Sequence, residues 1–229
     1  MTNNCKIEDE ILYKDKGFDE FCKKCFDVGN LYNNHMVLQR QYDFIWCILA
    51  KAFLIKIDRS CKNKFDILLE FCLNDLKCAM HQELYLLALY FKNDPSIGRV
   101  FAKLSKDYNK GIEYALENTT WDLFHSRMTF EHTRFYDTVE NIVILPYFAT
   151  NDKGVYQYLS KCLFKAVIID HGKMIPVYRS SIELSSYIMN ESLQFQLYDE
   201  EHIMKRKGDV TQVNINLIKS KLLQELKTI

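Results

Sequence analysis

Three acidic residues, each after an apolar run or at the start of a helical segment, could bring carboxylate chemistry to one edge of the fold: Glu83, Asp122 and Asp152. Asp152 closes Thr150-Asn151-Asp152, a hydroxyl and a carboxylate directly after the apolar run 142–149 and directly before a helical segment. In open α/β sheets that carboxyl edge is where ligands bind. Asp122 lies in Trp121-Asp122-Leu123-Phe124-His125, Glu83 in Met80-His81-Gln82-Glu83-Leu84, and Asp58 follows Leu54-Ile55-Lys56-Ile57. Cleaving a phosphodiester needs a hydroxide nucleophile and a stabilised leaving oxygen, and Mg²⁺ or Mn²⁺ held by carboxylates supplies both. Mg²⁺ keeps several waters, so a few acids from separate elements suffice. Clustered acids repel one another, and a bound cation accounts for their tolerance. The competing reading needs no metal: Glu83 and Asp122 are first-turn acids favoured by the helix dipole, and Asp152 is a helix cap.

The elements that would position these acids follow from periodicity. Apolar residues at helical spacing predict a helix over 35–53. The β-branched and aromatic content of 53–58 predicts a short strand ending in Asp58, unless the helix runs on. Residues 65–76 and 83–91 read as helices with a short strand over 77–80 between them. Asp94-Pro95-Ser96 is the clearest break, because Pro restrains its predecessor to extended geometry. Helices are expected over 97–108 and 112–134, the second interrupted near Asn118-Thr119-Thr120, where a Thr suits an N-cap.

The texture changes at residue 141. The continuous apolar run through Ile142 and Phe148 has the look of a buried parallel strand. A helix over 155–162 follows, then a strand over 164–169 and a turn at Asp170-His171-Gly172-Lys173 leading into 174–178. Strand–helix–strand order argues for a parallel sheet. The expected fold is therefore α/β: a short, mainly parallel sheet flanked by helices, with helical N- and C-terminal additions. The expected organisation is a helical lead over 1–53, a core over 54–180 and a helical extension over 181–229, forming one compact unit.

Together these residues resemble the PIN-like family of metal-dependent nucleases, over roughly residues 54–178. That family has an acid at the end of its first strand, a helical Glu, a later helical Asp and a Thr-x-Asp after the next strand. Thr150-Asn151-Asp152 matches the last motif, Asp122 the helical Asp, Glu83 the helical Glu and Asp58 the first acid. Arg59-Ser60 departs from the small-residue-then-Asn pattern usual after the first acid. The resemblance implies Mg²⁺- or Mn²⁺-dependent cleavage of RNA by these four ligands, in a bacterial toxin or phage-defence setting with an antitoxin as partner.

A second signal overlaps the first. Arg127 and His132 have the R-x4-H spacing of HEPN ribonucleases, in which the His acts as general base on a ribose hydroxyl at a dimer interface. HEPN folds are all-helical, which the strand-like 142–178 segment opposes. Cys22 and Cys25 have the spacing of half a zinc site, but a structural zinc needs four ligands and no second pair follows. Cys5 and His35 would have to complete it.

Composition bounds the rest. The 229 residues are 48% hydrophobic with only 7 Gly and 3 Pro, which favours a large core and long helices. Lys plus Arg equals Asp plus Glu at 30 each, so there is no global basic footprint for nucleic acid. Local cations, Lys161, Lys165, Lys173, Arg179, Lys205, Arg206 and Lys207, either meet phosphates or form a solvated face. The balanced charge keeps a catalytically inactive α/β interaction module as the alternative function. The eight Cys sit largely in apolar runs, where a free thiol behaves as a small hydrophobe. With no leader pattern at Met1-Thr2-Asn3, reduced thiols in a cytoplasm are expected. The longest apolar stretch, 44–57, carries Lys51 and Lys56 and falls short of the roughly 20 apolar residues that span a bilayer.

Overall fold

The computed structural model describes residues 28–105, 110–131, 136–137, 142–143, 151–162, 164–170, 173–178, 183–209 and 211–229. The chain divides into two compact units, Met1–Gln41 and Tyr42–Ile229, and the sites below all belong to the second.

Helix α1, Val28–Ile57, carries the centre of the core. From Phe44 to Ala50 every residue is buried, as are Ala52, Phe53 and Ile55. A helix apolar on all sides belongs inside a protein, and each Leu or Ile so buried contributes about 1.5–3 kcal/mol. The strand expected over 53–58 does not form, because α1 continues through it. Its end is held by Lys64, whose Nζ donates to the carbonyls of Ile55, Lys56 and Asp58 at 2.9, 2.8 and 2.7 Å. A cation on the last carbonyls of a helix also complements its dipole.

Helix α2, Lys64–Glu70, runs into a wide turn over Phe71–Asp75. Lys77 then takes φ +56°, a left-handed value that no strand accommodates, so the expected strand over 77–80 is an irregular link. Helix α3, His81–Phe91, is buried from Gln82 through Leu89. It ends at Asn93, also left-handed at φ +56°. The break at Asp94-Pro95 appears as expected, with Asp94 Oδ1 accepting from Ser96 N at 2.8 Å.

The helix expected over 97–108 is absent from 98–105. Three-residue turns, Val100 N to Ile97 O at 3.0 Å and Leu104 N to Phe101 O at 2.9 Å, suffice to bury Ile97, Phe101 and Leu104. Helix α4, Ile112–Glu131, is continuous where an interruption was expected. Thr119 and Thr120 are buried and donate to the carbonyls of Ala115 and Leu116 at 2.9 and 2.7 Å. Hydroxyls satisfied one turn back need no cap position.

The expected parallel sheet is contradicted. Strand β1, Tyr136–Asp137, pairs antiparallel with β2, Ile142–Val143. Residues 144–150 of the expected central strand lie outside the described residues. Helix α5, Lys153–Lys161, is followed by β3, Phe164–Asp170, and β4, Lys173–Tyr178, which form the expected hairpin. Its register pairs Ile168 with Ile175 and Asp170 with Lys173. Both described pairings are local, antiparallel and two-stranded. A parallel pair would need a crossover and cover on both faces. Here helices supply the core themselves, and the fold is mainly helical.

Among the described residues, three α-helices complete it: α6, Glu191–Tyr198, α7, Glu200–Asp209, and α8, Gln212–Lys227. Lys219 of α8 reaches Asp43 of α1 at 2.7 Å, while Ile215, Leu222 and Leu226 enter the core. Among the described residues no helix is long and apolar enough to cross a membrane. Cys47, Cys72 and Cys162 are buried within this core, and burial pushes the Cys47 thiol up to about 12.

Candidate functional site

Asp122 and Asp152, thirty positions apart, line one cleft with Arg99, Lys103, Val155 and Tyr158. Helix α4 packs on α5, and this brings the two acids to the same edge. Asp152 is the N-cap of α5: its Oδ1 accepts from Gly154 N at 2.6 Å and Val155 N at 3.1 Å. Those bonds satisfy two donors that a helix start leaves open, and they fix the carboxylate's direction. Gly154 sits in a tight spot, because a Cβ would stand 3.0 Å from Asp152 Oδ1 and 3.1 Å from the Arg99 carbonyl, so a larger residue needs these neighbours to give by a few tenths of an ångström. Arg99 N donates to Gln157 Oε1 at 2.9 Å, tying the 98–105 turns to α5.

Asp122 is half-buried at the opposite wall. Burial raises its pKa, Lys103 opposes the rise, and Asp152 adds to it. Loss of hydration and a neighbouring like charge both disfavour the ionised form, so a cation in the cleft would be welcome. Tyr158 forms the floor, fully buried, with its hydroxyl 3.2 Å from Gln82 Oε1. The cleft volume is about 40 Å³. That exceeds the roughly 10–15 Å³ one water requires but holds no organic ligand. Two hard carboxylate donors in such a space suit a partly hydrated Mg²⁺ or Mn²⁺, and suit thiophilic metals poorly.

The other two predicted acids are elsewhere. Glu83, 1% exposed, does not line this cleft, and both its oxygens meet Arg127 Nη1, at 3.1 and 2.9 Å. Its charge is already compensated there. Asp58 is exposed at the end of α1 and organises its own turn. It accepts from Ser60 N at 2.8 Å, Ser60 Oγ at 2.7 Å and Cys61 Sγ at 3.2 Å, which holds its pKa down at about 2. The expected set of four converging acids is thus a pair. No group of three or more His, Cys, Asp or Glu side chains is placed to share a metal among the described residues.

Arg127 of the R-x4-H spacing is the ion-pair partner of Glu83, and His132 lies outside the described residues. So do Thr150, Cys5, Cys22, Cys25, His171 and Arg179. Among the local cations, Arg206 is engaged inward, donating to the carbonyls of Gln196 and Leu197 at 2.5 and 3.4 Å. The cleft cations Arg99 and Lys103 escaped the sequence reading, because a helix was expected over 97–108 and the turns found there set a different facing from helical periodicity. Comparison with family models, with curated proteins and with solved structures finds no match for this chain.

Proposed function

We propose that the protein is a metal-dependent endoribonuclease whose centre is the Asp122–Asp152 cleft. The observation that carries this reading is the convergence of these two acids, with Arg99 and Lys103 beside them. The α/β frame of the PIN-like family is not part of the proposal. Asp122 and Asp152 would hold the cation, which when bound lowers the pKa of a water and neutralises charge on the phosphate. Asp152 is pre-aimed by two backbone amides, and Asp122 gains most from a cation because burial and Asp152 both oppose its charge. Arg99 and Lys103 stand where a scissile phosphate's oxygens would need compensation. The buried ring of Tyr158 makes one side of the cleft apolar, and low local polarity strengthens each of these interactions. RNA as substrate, and a toxin or defence setting with an antitoxin, are what the family likeness suggests.

A second reading draws on the mainly helical fold, which removes the objection to a HEPN-like ribonuclease acting without metal through Arg127 and His132. The ion pair of Arg127 with Glu83 weighs against it. An inactive interaction module is the third reading. One experiment separates them: single-stranded RNA incubated with purified protein, with Mg²⁺ or Mn²⁺ and with EDTA. Cleavage stopped by EDTA and by Asp152→Asn supports the proposal. Cleavage in EDTA lost in His132→Ala supports the HEPN-like reading, and no cleavage under any condition supports the interaction module.

A further inference from the structure

Helix α4 departs from the usual amphipathic plan on its outer side. Tyr114, Asn118, Trp121 and His125 recur at helical spacing along one face, and three of the four are aromatic rings. Tyr114 is 42% and Trp121 47% exposed, where a surface helix ordinarily presents charge. The Trp121 ring is held by Tyr42 at 4.7 Å, His125 at 5.2 Å and Phe124 at 5.7 Å between centroids. A large ring that is both fixed and half in water is preorganised to stack on a planar ligand, because little side-chain entropy is left to lose.

The charges flanking this stripe differ. On one side Glu117 lies close enough to Tyr42 to oppose ionisation of its phenol. On the other, Asp122 leads into the cleft with Lys103 and Arg99, and His125 is near enough to favour the ionised Asp122. Lys110 Nζ sits 4.9 Å from the Tyr114 ring centroid at the start of the stripe. A polyanion laid on the rings would be repelled by the Glu117 flank, whereas the cleft flank offers Arg99 and Lys103 beside its two acids.

We infer that the outer face of α4, through Tyr114, Trp121 and His125, is a stacking surface for the unpaired bases of single-stranded RNA, leading its backbone to the Asp122–Asp152 cleft. Bases stack on aromatic side chains whatever their sequence, and the cations at the cleft edge take the phosphates. The inference rests on the nuclease reading for the identity of the polyanion, but its test needs no cleavage.

The protein has two tryptophans, and Trp46 is 2% exposed, so ligand-induced quenching of indole emission reports Trp121. The full chain in EDTA is titrated with a single-stranded oligoribonucleotide and, separately, with a duplex of the same sequence. Quenching by the single strand and little by the duplex is expected. Trp121→Leu should weaken single-strand affinity, read by anisotropy of a labelled oligonucleotide, by about fivefold or more. Absence of quenching in the wild type, or equal affinity in Trp121→Leu, overturns the inference. So does sedimentation as a dimer that dissociates in Trp121→Leu, which would assign the stripe to a second copy. Stacking without metal-dependent cleavage would sink the nuclease reading alone, and cleavage without quenching would sink the stripe alone.

Discussion

The Arg127 guanidinium of α4 reaches across to α3 and takes both carboxylate oxygens of Glu83, at 3.1 and 2.9 Å, with Glu83 1% exposed. This relationship moves Glu83 from the chemistry to the architecture. Removing one member of a buried pair strands the other charge, typically at a cost of about 3–5 kcal/mol. Glu83→Gln should therefore lower stability by about that amount in urea titration. Replacing both, as Glu83→Met with Arg127→Met, should recover much of the loss. A metal ligand would behave oppositely, with Glu83→Gln leaving metal-free stability unchanged or raised.

Lys64 closes the end of α1 on three carbonyls within 2.9 Å. Hydrogen bonds from a charged donor contribute about 1.5–3 kcal/mol. Lys64→Met should destabilise by about 1–2 kcal/mol, once solvent at the exposed third carbonyl is allowed for. Thermal melting read by circular dichroism checks this.

Asp58 organises a surface turn, so Asp58→Asn should leave RNA cleavage unchanged. Its folded-state pKa of about 2 lies below the usual carboxylate value. The stability it adds is therefore present above the ordinary range and lost as pH falls toward about 2. Asp58→Asn should flatten that part of the acid-stability profile and lower stability near neutrality, where the wild-type contribution is fully present.

Asp122 has the opposite sign. Its raised pKa means the folded protein holds that proton more tightly than the unfolded chain, so stability falls as pH rises through the raised value. Asp122→Asn should raise the melting temperature at neutral pH, and the gain should shrink on acidification into the carboxylate range. Because protons and the cation compete for this group, cleavage by the wild type should rise with pH over the same window. A gain that persists unchanged at acid pH would contradict the assignment.

Local features were largely legible in the sequence. The break at Asp94-Pro95, the cap at Asp152 and the hairpin joining β3 to β4 all follow from local residue chemistry. The parallel sheet was misread because an apolar run has no handedness: Ile142–Val143 pairs with its neighbour Tyr136–Asp137, and nothing in its hydrophobicity forbids that. The expected strand over 53–58 failed because β-branched residues tolerate a helix that is buried on every side. At the site, Asp122 and Asp152 were both singled out in the sequence and line one cleft, while Thr150 lies outside the described residues. Glu83 was indistinguishable from a ligand in sequence, since its partner Arg127 lies 44 positions away. Long-range pairing of that kind leaves no periodic trace.

The most direct test of the account is the metal response of Asp152→Asn. Asn caps a helix about as well as Asp, so the variant should melt within a degree or two of the wild type without metal, and its circular dichroism should be unchanged. In the wild type, Mn²⁺ or Mg²⁺ should raise the melting temperature and support cleavage of single-stranded RNA, and EDTA should reverse both. In Asp152→Asn both responses should vanish together. A variant that keeps either the metal-dependent stabilisation or the cleavage would contradict the assignment of Asp122 and Asp152 as the centre.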